Sequence, residues 1–81
     1  MEFIVYILFS SKFNKHYVGY TSDLENRLLS HNLLATKGYT IKYRPWVLIH
    51  TKKFETKSEA LKREKYLKSG VGKTFIKSLT H

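Results

Sequence analysis

The sequence predicts a small α+β fold, a three-stranded antiparallel sheet flanked by helices in the order β-β-α-β-α-α. Three observations point there. Two runs rich in β-branched and aromatic residues, Phe3 to Phe9 and His16 to Tyr20, are separated by turn chemistry. Two segments of the form Ser/Thr-x-x-Glu, Ser22 to Glu25 and Thr56 to Glu59, carry the pattern of a helix start. A Ser69-Gly70-Val71-Gly72 stretch then stops the second helix. At 81 residues, 42% apolar and 15% aromatic, the chain suits one globular domain over 1–81 with a modest core.

Phe3 to Phe9 is the first strand, and Ser10 to Lys15, with Asn14, supplies the turn into the second, His16 to Tyr20. Together they read as an antiparallel hairpin. Ser22 as N-cap and Glu25 at N3 open a helix that runs to about Leu34, with Leu24, Leu28 and Leu29 or Leu33 facing the core. Gly38 and Pro45 break the chain, so Ala35 to Pro45 reads as an irregular loop before a third strand, Trp46 to His50. Thr56 caps the second helix, Thr56 to Lys68, and Lys73 to Leu79 makes a short last one.

Composition narrows the chemistry. With no cysteine there is no disulfide framework, thiolate metal site or cysteine nucleophile, and the four histidines have no zinc spacing. Phe3 to Phe9 is too short to span a membrane and lacks the flanks of a signal peptide, so a cytoplasmic protein is expected. Fifteen Lys and Arg against six Asp and Glu leave a net charge of +9, a field that attracts polyanions, nucleic acid first. The excess is concentrated in the last thirty residues, where Lys62, Arg63, Lys65, Lys68 and Lys73 are expected to contact phosphates. No helix pairs a basic face with a broad aromatic one, which argues against a membrane partner.

Against this background Glu64 stands out. Ala60, Leu61 and Leu67 fall on one face of the second helix, and Glu64 lies within that stripe. A carboxylate there needs a cation: a metal ion, a basic neighbour, or simply Lys68 in an i,i+4 ion pair at the edge of the stripe. A hairpin can bring Tyr6 and Tyr17 together, and Arg27 and His31, four apart on the first helix, share a face on which both can point at one anion. Each has an ordinary reading as a strand residue or a solvated helix flank. The set of five, drawn from separate elements of a basic domain, suggests phosphate chemistry.

Ile4-Val5-Tyr6, then ten residues, then Tyr17-Val18-Gly19, followed by Asp23-Leu24, Arg27 and the segment Glu59-Ala60-Leu61-Lys62-Arg63-Glu64, resembles the GIY-YIG nuclease domain. The likeness covers nearly the whole chain and is nearest to the small stand-alone proteins of that superfamily. Other members include the catalytic domain of the excision-repair incision subunit and phage homing endonucleases. Their fold is the one expected above. The resemblance implies a metal-dependent endonuclease acting on DNA, in repair or recombination, with a single Mg²⁺ or Mn²⁺ ion held by Glu64.

It also implies roles for the other residues. Tyr17 matches the proposed general base or water-positioning group, Tyr6 the tyrosine that holds the water or scissile phosphate, and Arg27 the arginine that stabilises transition-state charge. His31 matches a phosphate contact or proton carrier, and Gly19 a position that allows close approach of the substrate. A phenol with a reference pKa of ~10 is a weak base, so basic catalysis needs cations nearby. Ile4 replaces the glycine of the first triplet, and Tyr20 stands where several active relatives carry a lysine or other polar residue. Larger relatives have separate DNA-binding modules; here targeting falls to the basic surface, a homodimer or a partner protein. DNA versus RNA is left open, and the alternative function is a binding module that cuts slowly or not at all.

Overall fold

The structure, a computed structural model, describes residues 2–34 and 38–79. Strand β1 (Phe3–Ser10) pairs antiparallel with β2 (Lys15–Thr21) on one side and with β3 (Val47–Phe54) on the other, so the sheet order is β2-β1-β3. Asn14, with φ of 51°, takes the left-handed turn position between β1 and β2. Helix α1 (Leu24–Leu29) runs on into a π-helical segment, Ser30–Leu34. A 3-10 helix, Tyr39–Tyr43, precedes β3, and helices α2 (Lys57–Leu67) and α3 (Gly70–Leu79) complete the chain. This is the expected α+β architecture.

The unbroken apolar run of β1 follows from its central place, because a strand covered on both faces has no side to give to water. Val5 and Ile7 face one cluster with Val18, Ala60, Leu67 and Ile76, which brings in α2 and α3. Tyr6 and Leu8 face the other with Trp46, against which Tyr17, Leu24, Leu28 and Tyr43 pack. The sheet is therefore sandwiched, with α1 and the 3-10 helix on the Tyr6 face.

Several boundaries differ from the sequence reading. The N-cap of α1 is Asp23, not Ser22: its Oδ1 accepts from the Asn26 N–H at 3.2 Å, while Thr21 Oγ1 accepts from the Asp23 N–H at 3.0 Å. Leu29 and Leu33 do not join the core; Leu33 is 71% exposed. The loop expected from Ala35 to Pro45 contains the 3-10 helix, and Ala35 to Lys37 lie outside the described residues. β3 begins after Trp46 and continues to Phe54, because the exposed Lys52 and Lys53 are tolerated on an edge strand. The second capping box holds: Thr56 Oγ1 accepts from the Glu59 N–H at 3.2 Å and donates to Glu59 Oε1 at 3.0 Å. α3 starts at Gly70 rather than Lys73, with Ser69 Oγ accepting from the Gly72 N–H at 3.3 Å. A Cβ at Gly72 would run into the backbone of Tyr66 and Leu67, so this glycine is where α3 closes on the end of α2.

Leu67 is fully buried where α2 meets the sheet, and Leu33 is not. Leu67→Ala is expected to lower unfolding free energy by about 2–5 kcal/mol in urea titration, whereas Leu33→Ala changes it by no more than about 0.5 kcal/mol.

Candidate active site

The site begins with a tyrosine in the middle of β1. Tyr6 is fully buried, and its cross-strand partner on β2 is Gly19. A Cβ on Gly19 would lie 2.6 Å from Tyr6 Oη and 3.1 Å from Tyr17 Cε2, so the missing side chain is the space the Tyr6 phenol occupies. The sequence reading gave that space to substrate; the phenol fills it. Crossing Gly19 carries the hydroxyl toward β2, an edge strand. There Tyr6 Oη hydrogen-bonds His31 Nε2 at 2.8 Å, and the Tyr17 ring lies 6.3 Å from the Tyr6 ring and 4.8 Å from the imidazole.

His31 is held by residues that carried no signal of their own. Its Nδ1 lies 3.1 Å from Thr40 Oγ1 on the 3-10 helix. Trp46 Nε1 donates to the Thr40 carbonyl at 2.8 Å. Asn32 accepts from the Trp46 N–H at 2.7 Å and donates to its carbonyl at 3.1 Å. Arg44 donates to the carbonyls of His31 at 2.6 Å and Ser30 at 3.1 Å. These bonds satisfy backbone groups that the π-helical segment leaves open and lock the imidazole in place. Asn32, Thr40, Arg44 and Trp46 are thus the supporting residues that sequence reasoning missed. Apart from the Trp46–Thr40 bond, which spans six residues, their partners are nine or more residues away in the chain, beyond the reach of a local pattern.

Burial pushes the Tyr6 phenol up to about 12. The Arg27 guanidinium beside it opposes this, while Tyr17 and the Glu64 carboxylate add to it. Tyr6 is accordingly a neutral hydrogen-bonding group near pH 7. Burial, then the nearby Arg27 and Arg44, lower the His31 pKa, which favours a neutral imidazole. Two tautomers fit the Tyr6–His31–Thr40 chain. With the proton on Nδ1, Tyr6 donates to Nε2; with it on Nε2, His31 donates to Tyr6.

Glu64 lies on α2, which packs across the sheet on the Val5 and Ile7 face. The buried positions of this helix are Ala60 and Leu67, with Glu64 between them at helical spacing; Leu61, expected in the stripe, is 40% exposed. The Glu64 side chain is 19% exposed, and its Oε2 lies 3.7 Å from Lys68 Nζ. The i,i+4 pair is present, and the carboxylate also acts electrostatically on Tyr6. Among the described residues no group of three or more His, Cys, Asp and Glu forms a metal cage. A lone, partly buried carboxylate fits instead a hard divalent cation that keeps several waters and completes its shell with phosphate oxygens.

Tyr6, Tyr17 and His31 are in ring contact, Arg27 stands beside the Tyr6 hydroxyl, and Glu64 on α2 is within electrostatic reach of it. The basic residues divide. Lys68 and Lys73 line one groove with Tyr17. Lys62 and Lys65 are exposed on α2. Arg63 packs its guanidinium over Tyr66 at 5.1 Å and Phe75 at 5.5 Å, with Nε buried and without a hydrogen-bond partner. Tyr20 is turned away, packed against the Val5, Ile7 and Val18 cluster on the opposite face from Tyr6, and gives the site no charge.

A family model described as the GIY-YIG catalytic domain matches residues 2–76. The chain belongs to the GIY-YIG family. This GIY-YIG domain is 42% identical over 65 residues to a UPF0213 protein of Staphylococcus haemolyticus, covering 80% of this chain and 78% of that one. With a UPF0213 protein of Enterococcus faecalis it shares 52% identity over 50 residues, which is 59% of this chain and 57% of the relative. Among solved structures it is similar to the solution NMR structure of a UPF0213 protein from Bacillus halodurans, with a TM-score of 0.57 and 32% identity over 99% of this chain and 86% of that one. GIY-YIG membership points to a nuclease. No helix among the described residues is long and apolar enough to cross a membrane.

The pKa of His31 is lowered in the folded GIY-YIG domain, as are those of His16 and His50, each by burial first. The unfolded chain therefore takes up these protons first as pH falls below about 6.5, and stability present above that value is lost through the window between the unfolded and folded values. The melting temperature is expected to fall from pH 7.5 to pH 5.5, and His31→Gln should flatten the decline.

Proposed function

We propose that this chain is a metal-dependent endonuclease that hydrolyses DNA phosphodiester bonds by attack of water on the scissile phosphate, in repair or recombination. One observation supports the reading: the Tyr17 phenol, the His31 imidazole and the Arg27 guanidinium surround the Tyr6 hydroxyl, with the Glu64 carboxylate in electrostatic reach. A structural core has no use for such a set, whereas an in-line displacement at phosphorus needs each member.

The roles follow from the surroundings. Tyr6, fully buried and held neutral, does not serve as the base; its hydroxyl holds His31, and its ring sets the position of Tyr17. Tyr17, half-buried and beside both Tyr6 and His31, is placed to orient the attacking water. Arg27 is exposed on α1 next to the phenol, where a guanidinium can take two phosphate oxygens as charge builds on them. Both ring nitrogens of His31 are engaged within the protein, so it acts through Tyr6 as a positioning residue and not as a direct phosphate contact. Glu64 would hold a single Mg²⁺ or Mn²⁺ ion, which when bound supplies Lewis-acid charge at a phosphate oxygen. Lys68, 57% exposed beside it, and the outward Lys62 and Lys65 offer contacts to flanking phosphates.

The test is cleavage of a labelled panel of single-stranded, duplex, nicked and branched DNA in Mg²⁺, Mn²⁺ or EDTA. Cutting is expected with metal alone and should fall by about a hundredfold or more in Glu64→Gln and in Arg27→Ala. Tyr17→Phe should lose activity comparably while keeping the melting temperature of the parent. Metal-dependent cutting that survives in Glu64→Gln would remove the metal role from Glu64. Salt-sensitive binding without cutting would favour a nucleic-acid-binding module.

A further inference from the structure

Beside the clustered polar residues, along the β2 edge, lies a groove of about 340 Å³. Its walls include Tyr17, Val18, Tyr39 and Leu67, and Lys68 and Lys73 also line it. Tyr17 belongs both to this groove and to the candidate active site, so the two are continuous.

The groove opens onto a row of rings. Tyr39 is 50% exposed, lies nearly parallel to Tyr17 at 27° with centroids 6.5 Å apart, and is 4.8 Å from Tyr43. Tyr43 in turn lies 5.4 Å from Phe13. Cations accompany the row, with Lys15 Nζ 5.7 Å over Tyr43 and Lys12 Nζ 5.5 Å over Phe13. Among the described residues no carboxylate lines the groove.

A row of rings, of which Tyr39 and Phe13 are exposed, interleaved with lysines serves two needs of one ligand: a flat apolar surface for a base and positive charge for the phosphates on either side of it. A duplex presents its phosphates to a protein but keeps the flat faces of its bases stacked inside the helix. An apolar partner side chain fits the walls but gives no account of the lysines along the row. We propose that the Tyr17–Tyr39 groove takes an unpaired nucleobase next to the scissile phosphate, so that this site acts on single-stranded nucleic acid or on the unpaired stretch of a branched one. The inference rests on the nuclease reading of the adjoining cluster. Tyr39 is the specificity residue, supplying the stacking face, and Lys68 and Lys73 hold the flanking phosphates.

Binding in EDTA separates this inference from catalysis. The parent is titrated with a labelled twelve-residue thymidine oligonucleotide and with an abasic chain of the same length and charge. The thymidine chain is expected to bind at least about tenfold more tightly, a difference of the size that stacking one base supplies. Tyr39→Ala should abolish that difference and leave affinity for the abasic chain unchanged. Tyr39→Phe should preserve it, and Tyr39→Leu, which keeps apolar bulk without a ring, serves as the second variant should the alanine form not fold. Equal binding of the two chains by the parent, or a base preference untouched by the leucine variant, overturns the inference. A protein that cuts DNA yet binds both chains equally loses the groove and keeps the nuclease. Ring-dependent base binding without any cutting keeps the groove and loses the nuclease. Failure to bind either chain overturns both.

Discussion

A tyrosine at the centre of a three-stranded sheet must keep its ring from water and still find a partner for its hydroxyl, and Tyr6 meets both demands in one direction. The ring lies over Gly19, where no side chain competes, and the hydroxyl ends 2.8 Å from His31 Nε2. A buried phenol without that bond would carry the cost of an unsatisfied polar group, of order 1–3 kcal/mol. The bond fixes where the π-helical segment must sit. That in turn fixes Thr40, Asn32 and Arg44, which hold the segment through side-chain and carbonyl contacts.

The same constraint sorts the charges. Burial keeps Tyr6 neutral and lowers the His31 pKa, so ionic chemistry is left to the groups around them. Arg27 on α1 and Glu64 on α2 carry opposite charges within electrostatic reach of one phenol, as their opposed effects on its pKa record. A phosphate, anionic and in need of both a guanidinium and a hard cation, matches that division. The aromatic side of β2 adds the apolar surface that phosphate chemistry alone does not require.

Much of this was legible in the sequence where a local pattern is strong. β1 shows as an apolar run because both its faces are covered, and Thr56 with Glu59 marks the start of α2 because the reciprocal cap is a short-range interaction. Glu64 was visible as a carboxylate at a core-facing position, although the stripe was read one residue too wide at Leu61. The 3-10 helix was hidden behind Gly38 and Pro45, since what orders it is the long-range bonding of Thr40 and Trp46. The far half of β3 was hidden by the lysines an edge strand tolerates. Ser22 and Asp23 are both good N-caps, and only the geometry of Asn26 separates them. Glycines 70 and 72 read as breakers, yet one of them is what lets α3 start so close to α2. Family membership came from ordered motifs across the chain; the shell that holds them came from tertiary structure.

The measurement that bears most directly on this organisation is a pH titration of the Tyr6 phenolic carbon by NMR, with Tyr6→Phe used to assign the resonance. The account predicts that the signal stays fixed through the ordinary phenol range around 10 and moves only toward about 12. A midpoint near 10 would mean that the Tyr6 hydroxyl is solvated and apart from His31, and the hub on which the site is built would be absent.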